Sequence, residues 1–312
     1  MSDYLGIDTS NYTTSAALLN EGGDIRQLKR LLPVKEGERG LRQSDALFHH
    51  TKILPELLEE LLSEAELKAV GVSTRPRNIE GSYMPCFLAG EGAARAIAAA
   101  VKLPIYRTSH QVGHILAALF SCGRLDLALG NSPFIAFHFS GGTTDCLLVT
   151  PDPDEVITCR EITSSSDLKA GQAIDRVGVM LGLKFPCGAE LEKLALRSAR
   201  EFKVKASFKD GRCSLSGVEN ICRRMFEQGE DSRDIALCCI KHIEAAAAAM
   251  TEYAIKEVGR LPLVYAGGVM SDGIIREALK SRFDCCFAEP AFSADNACGT
   301  AVYAAVKDGF IK

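Results

Sequence analysis

His110 and His114 stand four residues apart in Ser109-His110-Gln111-Val112-Gly113-His114-Ile115-Leu116-Ala117. At helical spacing both imidazoles face one side, within reach of a single ion. Ser109 stands where an N-cap belongs. Two histidines at the start of a helix are also found as plain capping or surface residues. A metalloprotease helix would read His-Glu-x-x-His, with the glutamate as general base. Gln111 holds that position and cannot serve as a base, so the spacing points to a structural or substrate-anchoring ion. Asp295, in Phe292-Ser293-Ala294-Asp295-Asn296-Ala297, opens the expected last helix and is taken as the third ligand. Two imidazoles and one carboxylate leave positions for a phosphate or carboxylate oxygen, and Fe(II), Zn(II) and Mn(II) fit alike. The adjacent His49 and His50 diverge on a helix and are expected at solvent or at a lobe interface.

Three turns have the composition of a phosphate clamp. Asp8-Thr9-Ser10 ends one apolar run, Ser140-Gly141-Gly142-Thr143-Thr144-Asp145 forms a second tip, and Ala266-Gly267-Gly268-Val269 joins a strand to a helix. Glycine lets backbone N–H groups approach a phosphate because it has no Cβ. The hydroxyls of Thr9, Ser10, Ser140, Thr143 and Thr144 add donors, and the helix after Gly268 would turn its N-terminus to the anion. Asp8 would orient metal-bound water rather than touch phosphate. Asp8, Ser10 and Thr144 are the expected catalytic residues. A single Gly-Gly turn is ordinarily only a hairpin, but three in this order and spacing resemble an actin-like ATPase. ATP or AMP is the expected ligand.

Two similar sets of elements must carry these residues. Tyr4–Asp8 and Ser15–Leu19 alternate as paired strands, and a third strand is expected around Gln27–Leu32. An amphipathic helix over Leu47–Leu62, a strand over Lys68–Ser73, an alanine-rich helix over Leu88–Val101 and a strand at Pro104–Tyr106 complete a βββαβαβ opening. The second half restarts with strands at Phe134–Phe139, Asp145–Val149 and Val156–Ile162. Helices, a buried strand at Leu263–Ala266 and a closing helix from Asn296 to Val306 follow. A hairpin written twice predicts two related lobes facing a cleft. The N-terminal lobe is expected over residues 1–108, completed by the C-terminal helix from about 290 to 312. The second lobe, with the metal helix and a helical insertion, is expected over 109–289, with a hinge near Arg107–His110. His138 alternates within its strand, with a structural role or a place beside the phosphate turn.

Bulk properties narrow the class. The 312 residues are 47% hydrophobic and 24% charged, the balance of an ordinary globular protein. A net charge of −4 leaves no electrostatic footprint for nucleic acid, so a tRNA partner needs a local basic patch or another subunit. Arg75, Arg77, Arg223 and Arg224 could form such a patch. The N-terminus has no basic segment followed by an apolar run, and the 12 cysteines include no CxxC. They are read as reduced core residues of a cytoplasmic protein. The helix expected over Ile235–Val258 is broken by Lys241, Glu244, Glu252 and Lys256, so no membrane span is expected.

Together, Gly6-Ile7-Asp8-Thr9-Ser10, His110-x-x-Gly113-His114 and Ser140-Gly141-Gly142-x-Thr144 resemble the TsaD family. So do Ala170-Gly171-Gln172-Ala173-Ile174-Asp175-Arg176, Leu181-Gly182-Leu183-x-Phe185-Pro186-x-Gly188, Ala266-Gly267-Gly268-Val269 and Asp295-Asn296-Ala297. TsaD proteins are tRNA adenosine threonylcarbamoyltransferases, formerly labelled O-sialoglycoprotein endopeptidases of peptidase family M22. The resemblance spans nearly the whole chain. It implies an α/β, two-lobe actin-like (ASKHA, ribonuclease H-like) fold and metal ligands at His110, His114 and Asp295. It also implies adenylate contacts from His138, Phe139, Ser140, Gly141, Gly142, Asp175 and Gly188, with Asp272 where the family usually has a nucleotide-contacting asparagine. The implied reaction moves a threonylcarbamoyl group from its adenylate to N6 of an adenine beside the tRNA anticodon, and an ASKHA-type partner subunit is implied with it.

The chain also departs from the family pattern. Thr-Ser-Cys-Asp-Glu-Thr is replaced by Thr9-Ser10-Asn11-Tyr12-Thr13-Thr14, without the two acids. A Gly-Pro-Gly-Leu loop is replaced by Arg75-Pro76-Arg77-Asn78-Ile79-Glu80-Gly81, and a lysine is missing from Cys213–Asn220. A transferase, with a threonylcarbamoyl or carbamoyl group, is the leading expectation. A catalytically weakened scaffold that binds nucleotide and metal is the alternative. A sugar kinase has no use for the histidine pair, and an endopeptidase lacks its base.

Overall fold

The computed structural model describes residues 2–10, 12–33 and 41–312. The chain divides into two compact units, Met1–Ser132 with Thr150–Cys159 and Asp295–Lys312, and Pro133–Val149 with Arg160–Ala294.

The first unit is built on a five-stranded sheet. Strands β1 (Ser2–Asp8), β2 (Thr13–Asn20) and β3 (Ile25–Leu31) form an antiparallel meander, with Leu5 opposite Leu18 and Asp8 opposite Ser15. Helix α1 (Gln43–Leu62) leads to β4 (Glu66–Arg75), and helix α2 (Phe87–Val101) to β5 (Ile105–Ser109). Both later strands run parallel to β1, in the sheet order β3-β2-β1-β4-β5. Helix α1 buries Ala46, His50, Leu54, Leu57, Leu58 and Leu61. Those spacings of three and four make one apolar stripe, which packs on Leu5, Ile7, Leu18 and Val72. His50 is fully buried there and its Nδ1 lies 2.8 Å from the Thr14 hydroxyl, so it is a core residue and not the solvent or interface group expected.

Helix α3 (His110–Ser121) and the short α4 (Asp126–Leu129) complete the first run of chain. The boundary expected after residue 108 therefore falls after Ser132, because α3 packs inside the first unit. Arg107–His110, expected as a hinge, is where β5 runs directly into α3 within that unit.

The second unit repeats the sheet. Strands β6 (Phe134–Phe139), β7 (Thr144–Asp152) and β8 (Val156–Ser164) are followed by α5 (Ala170–Met180) and α6 (Gly188–Ala195). A small hairpin, β9 (Phe208–Lys209) and β10 (Arg212–Cys213), precedes α7 (Ser216–Glu227) and the long α8 (Ser232–Val258). Then come β11 (Leu263–Ala266), a 3₁₀ turn at Gly268–Ser271, α9 (Gly273–Lys280), β12 (Cys285–Phe287) and α10 (Pro290–Ser293). The sheet order is β12-β11-β6-β7-β8, which read backwards matches the first sheet strand for strand. Phe137, Tyr265 and Phe287 are registered neighbours on β6, β11 and β12, and their rings stack at 4.5 and 4.8 Å. Among the described residues no helix is long and apolar enough to cross a membrane. Most of the cysteines are buried, as expected of core residues.

The last helix, α11 (Cys298–Lys307), returns to the first unit. A Cβ at Gly6 would lie 2.3 Å from the Ala297 carbonyl oxygen, and one at Gly299 would lie 1.7 Å from that of Gly113. Backbone thus meets backbone where α11 approaches β1 and α3, an approach only glycine permits. This contact brings the segment before α11 to the ends of β1 and α3.

Candidate functional site

The end of β1, the first turns of α3 and the Asp295 segment bring one cluster together in the first unit. Ser109 caps α3 as expected, its hydroxyl accepting from the Val112 amide at 3.3 Å. The imidazoles of His110 and His114 lie edge to face, 4.2 Å between centroids. Asp295 Oδ1 is 3.1 Å from His114 Nε2 and 3.7 Å from His110 Nε2. One ligand atom from each of these three residues lies within 4.8 Å of the others, so the group could hold a metal ion. Asp295 does not open the last helix. It stands in the turn ahead of α11, which begins at Cys298.

Asp8 joins this group through the other face of His110. Its Oδ2 is 2.9 Å from His110 Nδ1, while its Oδ1 accepts from the Ser10 amide at 2.8 Å. Burial alone would raise the Asp8 carboxyl, but the charge and hydrogen bond of His110 and the bonds from Ser10 hold it well below the usual range. Burial works against the charged form of His110 too, yet the two carboxylates lift it to about 9. Asp295 is likewise lowered, its burial outweighed by His114 and His110. Ser10 is buried beside Asp8. Thr9 is fully buried, its hydroxyl donating to the Cys86 carbonyl and accepting from the Gly90 amide. Those bonds tie the strand end to α2, which replaces the phosphate contact expected of that side chain. Asn11 lies outside the described residues. Where the family has its acids, the Tyr12 carbonyl accepts from the Leu32 amide and Thr13 is buried in β2.

The remaining expected residues gather in the second unit, at the C-terminal ends of β6 and β11. The Ser140–Thr143 turn is closed on itself: the Ser140 hydroxyl accepts from the amides of Gly142 and Thr143, at 3.2 and 3.1 Å. Gly141 and Gly142 are exposed. His138 lies beside the turn, its Nδ1 3.1 Å from the Thr143 hydroxyl. Gly267 has φ 95°, and a Cβ there would lie 2.2 Å from the Phe139 carbonyl oxygen, so the second and third turns adjoin. Phe139 itself is a core side chain with no exposure, leaving only its backbone for a ligand.

Thr144 is fully buried. Its hydroxyl accepts from the Ala170 amide and donates to the Thr143 carbonyl, both at 2.8 Å. It therefore joins the turn to α5, a positioning role in place of the catalytic one expected. Asp175 on α5 accepts from the Cys187 amide at 2.8 Å, next to Gly188 at the start of α6. Burial raises its carboxyl although that amide opposes the shift. The helix expected directly after Gly268 is a 3₁₀ turn, and the α-helix begins at Gly273. Asp272 is the N-cap of that helix, accepting from the Ile275 amide at 3.1 Å. Glu192 of α6 accepts from the Gly273 amide at 2.8 Å. No motif singled out Glu192; only its place one turn beyond Gly188 hints at it. Burial first, and the Glu192 charge in the same direction, push Asp272 up to about 6.

Arg75 and Arg77 belong to the first unit and Arg223 and Arg224 to the second. Arg75 is 3.6 Å from Glu155, and Arg223 is 2.6 Å from Glu219.

A tRNA N6-adenosine threonylcarbamoyltransferase of Thermococcus sibiricus is 27% identical, over 89% of this chain and 81% of its own length. One from Neorickettsia sennetsu is 29% identical, over 88% of this chain and 83% of its own. Among solved structures, full-length HypF in its phosphate- and nucleotide-bound form covers all of this chain with a TM-score of 0.59 at 12% identity. This chain spans 47% of that protein. The likeness gives the fold, an actin-like α/β ATPase fold with two mixed sheets. The TsaD family model, described as tRNA N6-adenosine threonylcarbamoyltransferase, matches residues 35–302, and the chain belongs to that family.

Proposed function

We propose that this protein is a transferase that moves a threonylcarbamoyl group from its adenylate to N6 of a tRNA adenosine. Adenine N6 forms a bond to the carbamoyl carbon, the bond from that carbon to the phosphate oxygen breaks, N6 gives up a proton and AMP leaves. N6 is a weak amine, so alignment and neutralisation of the leaving phosphate carry most of the acceleration. A divalent ion, iron, zinc or manganese, held by His110, His114 and Asp295 would supply positive charge at the acyl oxygens. Ser10, beside Asp8, is the remaining hydroxyl candidate at this group.

In the second unit, Gly141, Gly142, Gly267 and Gly268 offer backbone to the adenylate phosphate. The N-terminus of α6, which opens at Gly188, would favour an anion. His138, Ser140, Asp175, Gly188 and Asp272 are assigned to the adenosine side, and Phe139 contributes backbone alone. With a net charge of −4 the chain has no general attraction for RNA. An actin-like partner subunit is therefore assigned part of the tRNA grip, and the cytoplasm is the assigned location.

The observation that carries the reading is the convergence of His110, His114 and Asp295 in a member of this family. Its test is single-turnover transfer from radiolabelled threonylcarbamoyl-adenylate to tRNA, by the purified chain with its partner proteins. Acceptor-dependent transfer, lost in His110→Ala together with bound metal, is expected. Hydrolysis of the adenylate regardless of tRNA would overturn the reading.

A further inference from the structure

We infer that Asp8 is a positioning residue for the metal group: its carboxylate fixes the ring of His110 so that Nε2 is the atom presented beside His114 and Asp295. The inference rests on the metal reading above and adds a residue that acts through a ligand. Three observations support it. The Asp8 side chain is 1% exposed, and a carboxylate buried to that degree persists only with partners for its oxygens. Both oxygens are occupied, Oδ1 by the Ser10 amide at 2.8 Å and Oδ2 by His110 Nδ1 at 2.9 Å. The opposite nitrogen, His110 Nε2, is the one 3.7 Å from Asp295 Oδ1, which is itself 3.1 Å from His114 Nε2.

An imidazole offers two nitrogens, and a ring free to turn presents either. Accepting the Nδ1 hydrogen forces the tautomer whose lone pair is on Nε2, stops the ring turning and raises the basicity of that lone pair. Asp8 can do so because β1 holds it. It is registered opposite Ser15, whose hydroxyl donates to the Asp8 carbonyl at 3.1 Å, and Ile7 before it is paired with Val72 of β4. The carboxylate is therefore placed by the sheet, independently of α3.

The test is Zn(II) binding by the intact chain, without tRNA or adenylate, measured by competition with a chelating dye, and the visible spectrum of the Co(II)-loaded protein. Wild type is expected to bind one ion per chain. Asp8→Ala should keep its secondary structure and bind Zn(II) about 10–100-fold more weakly. Asp8→Asn keeps one acceptor oxygen, which can serve Nδ1 only by giving up the Ser10 amide, and should recover no more than part of the affinity while shifting the Co(II) bands. If wild type binds an ion and Asp8→Ala binds it equally well, Asp8 is a structural residue only. If Asp8→Ala fails to fold, unchanged affinity and unchanged bands in Asp8→Asn reduce Asp8 to a structural residue in the same way. A wild-type chain that binds no ion would remove the metal reading itself.

Discussion

Gly299 of α11 faces the carbonyl of Gly113 on α3 with no room for a side chain: a Cβ would lie 1.7 Å from that oxygen. Asp295 precedes α11 by a short turn, and His110 and His114 flank Gly113, so this one contact sets the spacing between the carboxylate and the imidazoles. It joins residues far apart in sequence without any polar bond.

Gly299→Ala should therefore damage both stability and the site. The obstructing atoms are backbone, which cannot swing aside, so the cost belongs at the upper end of the overpacking range of about 1–3 kcal/mol. A lower denaturant midpoint with reduced zinc stoichiometry is expected. A variant as stable and as metal-replete as wild type would show that the two helices can separate freely.

Thr14 and His50 give a second expectation. The hydroxyl of Thr14 is 2.8 Å from His50 Nδ1, and both residues are fully buried. Thr14→Val keeps the shape but removes the hydroxyl from a buried ring nitrogen, at about 1–3 kcal/mol. Thr14→Ser keeps it and should stay within about 1 kcal/mol of wild type. Equal unfolding midpoints for the valine and serine variants would mean that the bond contributes nothing.

The elements were legible because their periods are clean. The βββαβαβ opening, β6, β11 and the N-cap Ser109 stand where spacing places them, and His110, His114 and Asp295, the ligands expected, do come together. Tertiary satisfaction of polar groups was not legible. Thr9 and Thr144 have the composition of phosphate donors, but each hydroxyl is consumed by a neighbouring helix start, at Gly90 and Ala170. His50 reads as polar on a helix, yet it falls on the buried stripe with Leu54 and Leu58. Nothing local announces the Asp8–His110 bond, which depends on where the sheet ends. The place of α3 was not legible for the same reason: it follows β5 without a break, and its packing on α11, β4 and β5 groups it with the first unit.

Thr144 separates positioning from chemistry. If its hydroxyl only joins the turn to α5, Thr144→Ser keeps both hydrogen bonds and should transfer at the wild-type rate. Thr144→Val leaves the buried Ala170 amide without its acceptor, costing about 1–3 kcal/mol of stability. It should also weaken AMP binding through a displaced turn. A serine variant with normal stability and AMP affinity but a rate lowered a hundredfold would return Thr144 to the reaction centre.

Asp272 carries a pH dependence. Its carboxyl is raised to about 6, first by burial and then by the charge of Glu192, from an ordinary value of 3.8. Between those values the folded chain holds a proton that the unfolded chain has released. Stability therefore falls as pH rises from about 4 to about 6, and stays reduced above that. At about 1.4 kcal/mol per unit the loss is bounded at roughly 3 kcal/mol. Asp272→Asn removes the charge but still caps α9, since asparagine is as good an N-cap. The carboxylate's attraction to the helix terminus, about 0.3–1 kcal/mol, works the other way and is smaller. Unfolding at pH 4 should find the two proteins within about 1 kcal/mol, and at pH 7.5 the asparagine variant should be the more stable. If Asp272→Asn is instead less stable at pH 7.5, the carboxylate's interaction with the α9 terminus outweighs its burial.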